Sequence, residues 1–180
     1  MAGIVQRGGE AFRRAWPWLG LLARLLVGGV WLVAGWVKVT DPAASVRAVR
    51  AYEILPEVVV PAVGHGLPVL EICIGLLLVL GLSQRLAASG SVLLFAAFIV
   101  GISAAWARGL QIECGCFGGG GAGVANAADK YPWEIARDAG LLVLSALLAW
   151  RPSTRWSLDA AIFSAAPRTA EVRTPRSTTP

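Results

Sequence analysis

The 180-residue chain is 56% hydrophobic and only 15% charged, with a mean hydropathy of +0.64. Soluble domains carry about a quarter charged residues. Here the apolar residues fall in long blocks, so composition speaks against an ordinary soluble domain and for one membrane domain. The net charge of +5 would suit a nucleic-acid binder. The arginines, however, flank apolar blocks instead of lining a face interleaved with aromatics, which argues against nucleic acid as a partner.

Residues 1–17 form a basic N-terminal segment with Arg7, Arg13 and Arg14. The first apolar block, residues 18–37, is long enough to cross about 30 Å of hydrocarbon at about 1.5 Å per residue. It exceeds a signal peptide's apolar core and no small-x-small cleavage site follows, so it reads as an uncleaved anchor. In the connection 38–61, Asp41 can cap a helix with Pro42 at its first position, and Val46, Val49 and Tyr52 recur every third residue before Pro56. That pattern predicts a short amphipathic helix on the outer surface. Further spans are expected over 62–82, 87–107 and 133–150, with Trp16, Trp18, Trp36, Trp106, Trp133 and Trp150 near their ends as an aromatic belt. Residues 151–180 read as a cytoplasmic tail, rich in Pro, Thr and Arg beyond Ala166 and expected to be disordered.

Four spans put both termini on one side. Nine Lys and Arg residues lie on the terminal side (Arg7, Arg13, Arg14, Arg85, Arg151, Arg155, Arg168, Arg173, Arg176) and six on the other (Lys38, Arg47, Arg50, Arg108, Lys130, Arg137). The bias places the termini in the cytoplasm and connections 38–61 and 108–132 outside. The loop "QIECGCFGGGGAG", residues 111–123, then faces a compartment where disulfides persist. A disulfide between Cys114 and Cys116 would close a very small ring, and strained, exposed disulfides are oxidising and labile. Gly115 permits the backbone such a ring needs, and the glycines from Gly118 leave room for another protein's thiol. Cys73, inside the second span, is either a small buried hydrophobe or a relay thiol. His65 could join the three cysteines in a metal site, but the spacing is unusual and an interfacial histidine is the simpler reading.

Charges inside apolar spans are expensive, so each is a candidate functional residue. Arg24 lies two turns inside the first span, where it can snorkel. Glu71 is near the middle of the second, and Arg137 and Asp138 open the fourth. A Glu71–Arg24 or Glu71–Arg137 pair would neutralise the interior, as a register lock or a proton-handling site. Gly28, Gly29, Gly35, Gly75 and Gly101 are candidates for close helix approach.

Taken in order, Arg24, "AGWVK" ending at Lys38, Asp41–Pro42, "AYEILP", Glu71, Gly75, "CGCFG" at 114–118 and "WEIARD" at 133–138 resemble the MauE family. These are methylamine-utilisation membrane proteins related to the DoxX-like four-helix membrane proteins. The resemblance covers roughly residues 18–150. It implies an all-α, four-transmembrane-helix bundle in the cytoplasmic membrane, acting in processing, transport or maturation of the disulfide-rich methylamine dehydrogenase beta subunit. It also implies an extracytoplasmic thioredoxin-like partner and assigns Cys114 and Cys116 as the redox pair. By analogy with other disulfide-generating membrane proteins, a quinone among the helices would take the electrons. Two other readings remain: a non-catalytic scaffold for a periplasmic oxidoreductase, and a small-solute or metal transporter using Glu71.

Overall fold

The computed structural model describes residues 2–115 and 127–151, with side chains described from Trp16 onward, Ala128 excepted. It contains α1 (Ala2–Thr40), α2 (Pro42–Ala51), α3 (Val60–Leu80), α4 (Gln84–Ala107), a 3-10 turn (Ala127–Lys130) and α5 (Tyr131–Trp150). The first helix is much longer than the apolar block alone predicts. It begins at Ala2 and runs past Lys38 to Thr40, so Lys38 belongs to a helix and not to the connection that follows.

Helix α2 forms as its sequence predicts. The Asp41 carboxylate accepts from Ala44 N–H at 2.9 Å, and Pro42 occupies the first turn, where no N–H is needed. It does more than lie on a surface. Ser45 and Ala48 are buried, Ser45 Oγ donates to Gly64 O at 2.7 Å, and α2 packs on α3. Gly81 ends α3 in the left-handed region with its N–H on Leu77 O at 2.9 Å. This glycine cap lets α4 return alongside α3 after a very short turn.

α1 packs chiefly on α3, and α4 on α5, with α1–α5 and α3–α4 contacts joining the two pairs. Glycines set the α1–α3 approach. A Cβ on Gly28 would meet Gly75 O at 3.1 Å, and one on Gly75 would meet Gly28 O at 2.9 Å. Gly35 is equally confined, by Pro68 O at 2.9 Å. Gly29 faces open space and Gly101 makes ordinary contact with Tyr52, so neither sets a helix spacing.

The exterior is not that of a water-soluble protein. Leu22, Trp36, Val69, Leu93, Val100 and Val143 are exposed, while Arg24, Lys38, Glu71, Ser91, Asp138 and Ser145 are buried. So broad an apolar exterior, with charges placed inside, suits a lipid surrounding. Among the described residues, three helical segments are long and apolar enough to cross a membrane: Trp16–Thr40, Val60–Leu80 and Gln84–Ala107. The fourth expected span exists as a helix, α5, but Glu134, Arg137 and Asp138 in its first half keep it outside that group. The tail from 152 and the glycine segment 116–126 lie outside the described residues.

Candidate functional site

The C-terminal ends of α1 and α4 and the N-terminal ends of α3 and α5 meet at one end of the molecule, with α2 beside them. There the chain leaves α4 at Ala107, reverses at Gly109 (φ +70°) and lies over the helix ends as residues 110–115. Two tyrosines hold it. Tyr131 OH accepts from Ile112 N–H at 3.1 Å and directs its own proton to Leu110 O at 2.7 Å, with Ile112 O at 3.0 Å as the second acceptor. Tyr52 OH donates to Cys114 O at 2.9 Å. Burial first, and the nearby Glu134 carboxylate next, push the Tyr52 phenol well above its ordinary range, so it stays a donor. Arg108 ties the back of the loop to Tyr52 O and Glu53 O.

Cys114 is disulfide-bonded and buried, packed in one cluster with Ile102, Ala105, Ile112 and Tyr131. Gly115 takes φ +69°, the left-handed conformation expected of the residue inside a tight C-x-C turn. Cys116 lies outside the described residues. Cys73 is a free thiol, exposed on α3 and absent from the cluster around Cys114. His65 is exposed, with Nδ1 2.7 Å from Pro61 O of its own helix.

Gly115 also lines a cavity of about 240 Å³ with Val37, Lys38, Thr40, Asp41, Ala44, Ser45 and Ala48. Lys38 is 6% exposed and forms an ion pair with the fully buried Glu71. This corrects the expected partner of Glu71, which is neither Arg24 nor Arg137. Val27, Trp31, Ala34 and Lys38 follow one another at helical spacing along the buried face of α1. That continuous stripe carries Lys38 inward, whereas Arg24 lies nearly four turns away on the same helix. Arg24 itself is 2% exposed, buried in the protein instead of snorkelling.

Arg137 Nε donates to Asp138 Oδ1 at 2.8 Å, and Asp138 is buried. Glu71, Arg137 and Asp138 line a second, interior cavity of about 10 Å³ with Trp31, Phe95 and Phe98. It has room for about one water. Glu71 Oε2 and Asp138 Oδ2 have no hydrogen-bond partner among the described residues. Phe98 places its ring 5.3 Å from Lys38 Nζ, a cation–π distance. One layer away, Trp31 Nε1 donates to Ser91 Oγ at 2.6 Å, and Ser91 meets Ser145 at 3.0 Å, tying α1, α4 and α5 together. A quinone ring does not fit the cavity lined by these charges.

The sequence reading missed Lys38, Tyr52 and Tyr131 as site residues. The stripe through Val27, Trp31 and Ala34 was the available signal for Lys38. Nothing local distinguished the tyrosines, whose partners lie 62 positions away for Tyr52 and 19 to 21 for Tyr131.

A chain of long helices with lipid-facing apolar surfaces and ion pairs inside is a multi-pass membrane protein. The family model of methylamine utilisation protein MauE matches residues 16–151, and the chain belongs to that family. No curated relative and no solved structure matches it.

Proposed function

We propose that this protein is a cytoplasmic-membrane disulfide-exchange protein. It crosses the membrane four times, α5 included, with both termini cytoplasmic and the Cys114 loop outside. Its partner is an extracytoplasmic thioredoxin-like protein, and its setting is the maturation of disulfide-bonded clients such as those of methylamine utilisation. The observation that carries this reading is Cys114 in a disulfide beside a cavity at the helix ends. The chain has three cysteines and Cys73 is free, which leaves Cys116 as the partner. Tyr52 and Tyr131 fix the Cys114 side, and the glycine-rich stretch beyond Cys116 is the sequence's open side.

The exchange balances without another reagent. A thiolate of the partner attacks Cys116 Sγ, a mixed disulfide forms, and the bond to Cys114 breaks with its electron pair leaving on Cys114 Sγ. The partner's second thiolate then attacks the mixed disulfide and releases Cys116. The partner ends oxidised and this pair reduced by two electrons, or the reverse, as the two potentials dictate. Transport through the interior has less support: two cations and two carboxylates neutralise one another around a one-water cavity.

Removing the resolving thiol should trap the mixed disulfide. Cys114→Ala is expected to accumulate a dithiothreitol-sensitive adduct with a thioredoxin-like protein, absent in the double cysteine mutant. If no adduct forms and the double mutant still supports client maturation, the chain is a scaffold instead.

A further inference from the structure

We infer that residues 54–59, the turn between α2 and α3, form an apolar anchor seated at the boundary between lipid headgroups and acyl chains. The inference depends neither on the exchange reaction nor on which side of the membrane this end faces.

Every residue from Glu53 to Val59 is exposed, and Ile54, Leu55, Val58 and Val59 are large and apolar. Val58 is 86% exposed, more than any lipid-facing leucine of the helices. The turn belongs to no helix, so the outward faces of the spans do not account for it. It is also a fixed turn. Glu53 takes φ +51°, uncommon for a residue with a Cβ. Arg108 holds that conformation by donating to Tyr52 O and Glu53 O, and Glu53 N–H reaches Arg50 O at 3.0 Å. At the other end, Val59 N–H bonds Pro56 O at 2.9 Å.

Three observations point to lipid as the occupant. First, α1, α4 and α5 each carry an exposed tryptophan near this end of the molecule: Trp36, Trp106 and Trp133. Such rings mark the membrane interface. Helix α3 has neither tryptophan nor tyrosine, and the turn runs directly into its first residue. Arg108, two residues beyond Trp106, reaches the turn, which places it at the tryptophan level. The turn therefore gives α3 the interfacial contact that tryptophans give the other helices. Second, the apolar surface is continuous with the lipid-facing one. Pro61 and Ala62 are exposed after Val59, and Val69 lies seven residues beyond Ala62 on the same helix face. Third, the one charge within 54–59 is matched. Glu57 accepts from Arg50 Nε at 2.9 and 3.0 Å, so no unpaired charge holds the turn away from lipid.

Two features limit its depth. Among the described residues, the N–H groups of Ile54, Leu55 and Val58 have no backbone partner. They need water or headgroup oxygens, which hydrocarbon lacks. His65, in the second turn of α3, is exposed as well. The anchor thus stops at the boundary layer, as amphipathic interfacial segments do. Tyr52, which donates to Cys114 O, leads into the turn, so the Cys114 loop is tied to the same level at the membrane surface.

The test uses the full-length protein in liposomes with Cys73→Ala and a single added cysteine carrying bimane. Val58→Cys is the probe, Arg47→Cys the exposed polar control and Leu93→Cys the mid-span control. The label at 58 should lose most of the iodide quenching seen at 47. A lipid nitroxide near the glycerol backbone should quench it more than one near the chain end, and the label at 93 should show the opposite order. Iodide quenching at 58 equal to that at 47, with no quenching by either lipid, overturns the inference and leaves the patch to a protein partner. Because bimane is itself apolar, a second variant moves it to Leu55→Cys and adds Ile54→Ser with Val58→Ser. Iodide quenching should then rise toward the value at 47. A label that stays shielded shows that these side chains are not the anchor, which also overturns the inference.

Discussion

Gly75→Ala tests the α1–α3 interface most directly. The added Cβ would lie 2.9 Å from Gly28 O and 2.8 Å from Leu32 Cγ, where ordinary contact begins near 3.4 Å. Leu32 can rotate, but a backbone oxygen in a helix cannot, so the helices must part by about 0.5 Å at this level. Overpacking of this size costs about 1–3 kcal/mol. Alanine's better helix propensity returns up to about 1 kcal/mol. Gly29→Ala supplies the control, because its Cβ meets nothing within 4 Å and carries only the propensity gain. The two variants should therefore differ by about 1–3 kcal/mol, with Gly75→Ala the less stable. Gly28→Ala presses on the same contact from the other side, so combining it with Gly75→Ala should cost less than the sum. Reversible unfolding of the detergent-solubilised protein, followed by circular dichroism, measures all four. Equal stability of Gly29→Ala and Gly75→Ala would show that the helices do not meet through these glycines.

Tyr131→Phe removes the hydroxyl that holds Ile112 N–H and Leu110 O; it should cost about 1–3 kcal/mol and speed hydrogen exchange at Ile112. Unchanged exchange there would mean that the loop is held by other groups. Tyr52 has a folded-state pKa above its unfolded value near 10, so its contribution to stability is complete below that pH and declines as pH rises through the folded value. The wild type should lose thermal stability above about pH 10 more steeply than Tyr52→Phe, and a Tyr52 tyrosinate signal at the ordinary pH would contradict the burial argument.

Much was legible in the sequence because its signals are local. Long apolar blocks predict helices that meet lipid, since an unpaired backbone cannot enter hydrocarbon. Asp41 followed by Pro42 predicts the start of α2, because a cap needs only a carboxylate and the next few N–H groups. Gly115 between two cysteines permits backbone angles closed to other residues, since no Cβ is present to clash, and it takes φ +69°. The motif order likewise carried the family, which the match over residues 16–151 bears out.

Only the tertiary structure decided which distant groups meet. Glu71 announces by its position that it needs a cation, but choosing Lys38 over Arg24 or Arg137 depends on how far α1 extends and which of its faces turns toward α3. Gly28 and Gly29 are equivalent in sequence, yet one touches Gly75 and the other touches nothing, because neighbouring helical residues point about 100° apart. Tyr52, Tyr131 and Lys38 join the disulfide loop only when four helix ends converge. Helical periodicity orders residues along one element, but the choice of partner across elements is made by packing, where a shift of half an ångström decides the contact.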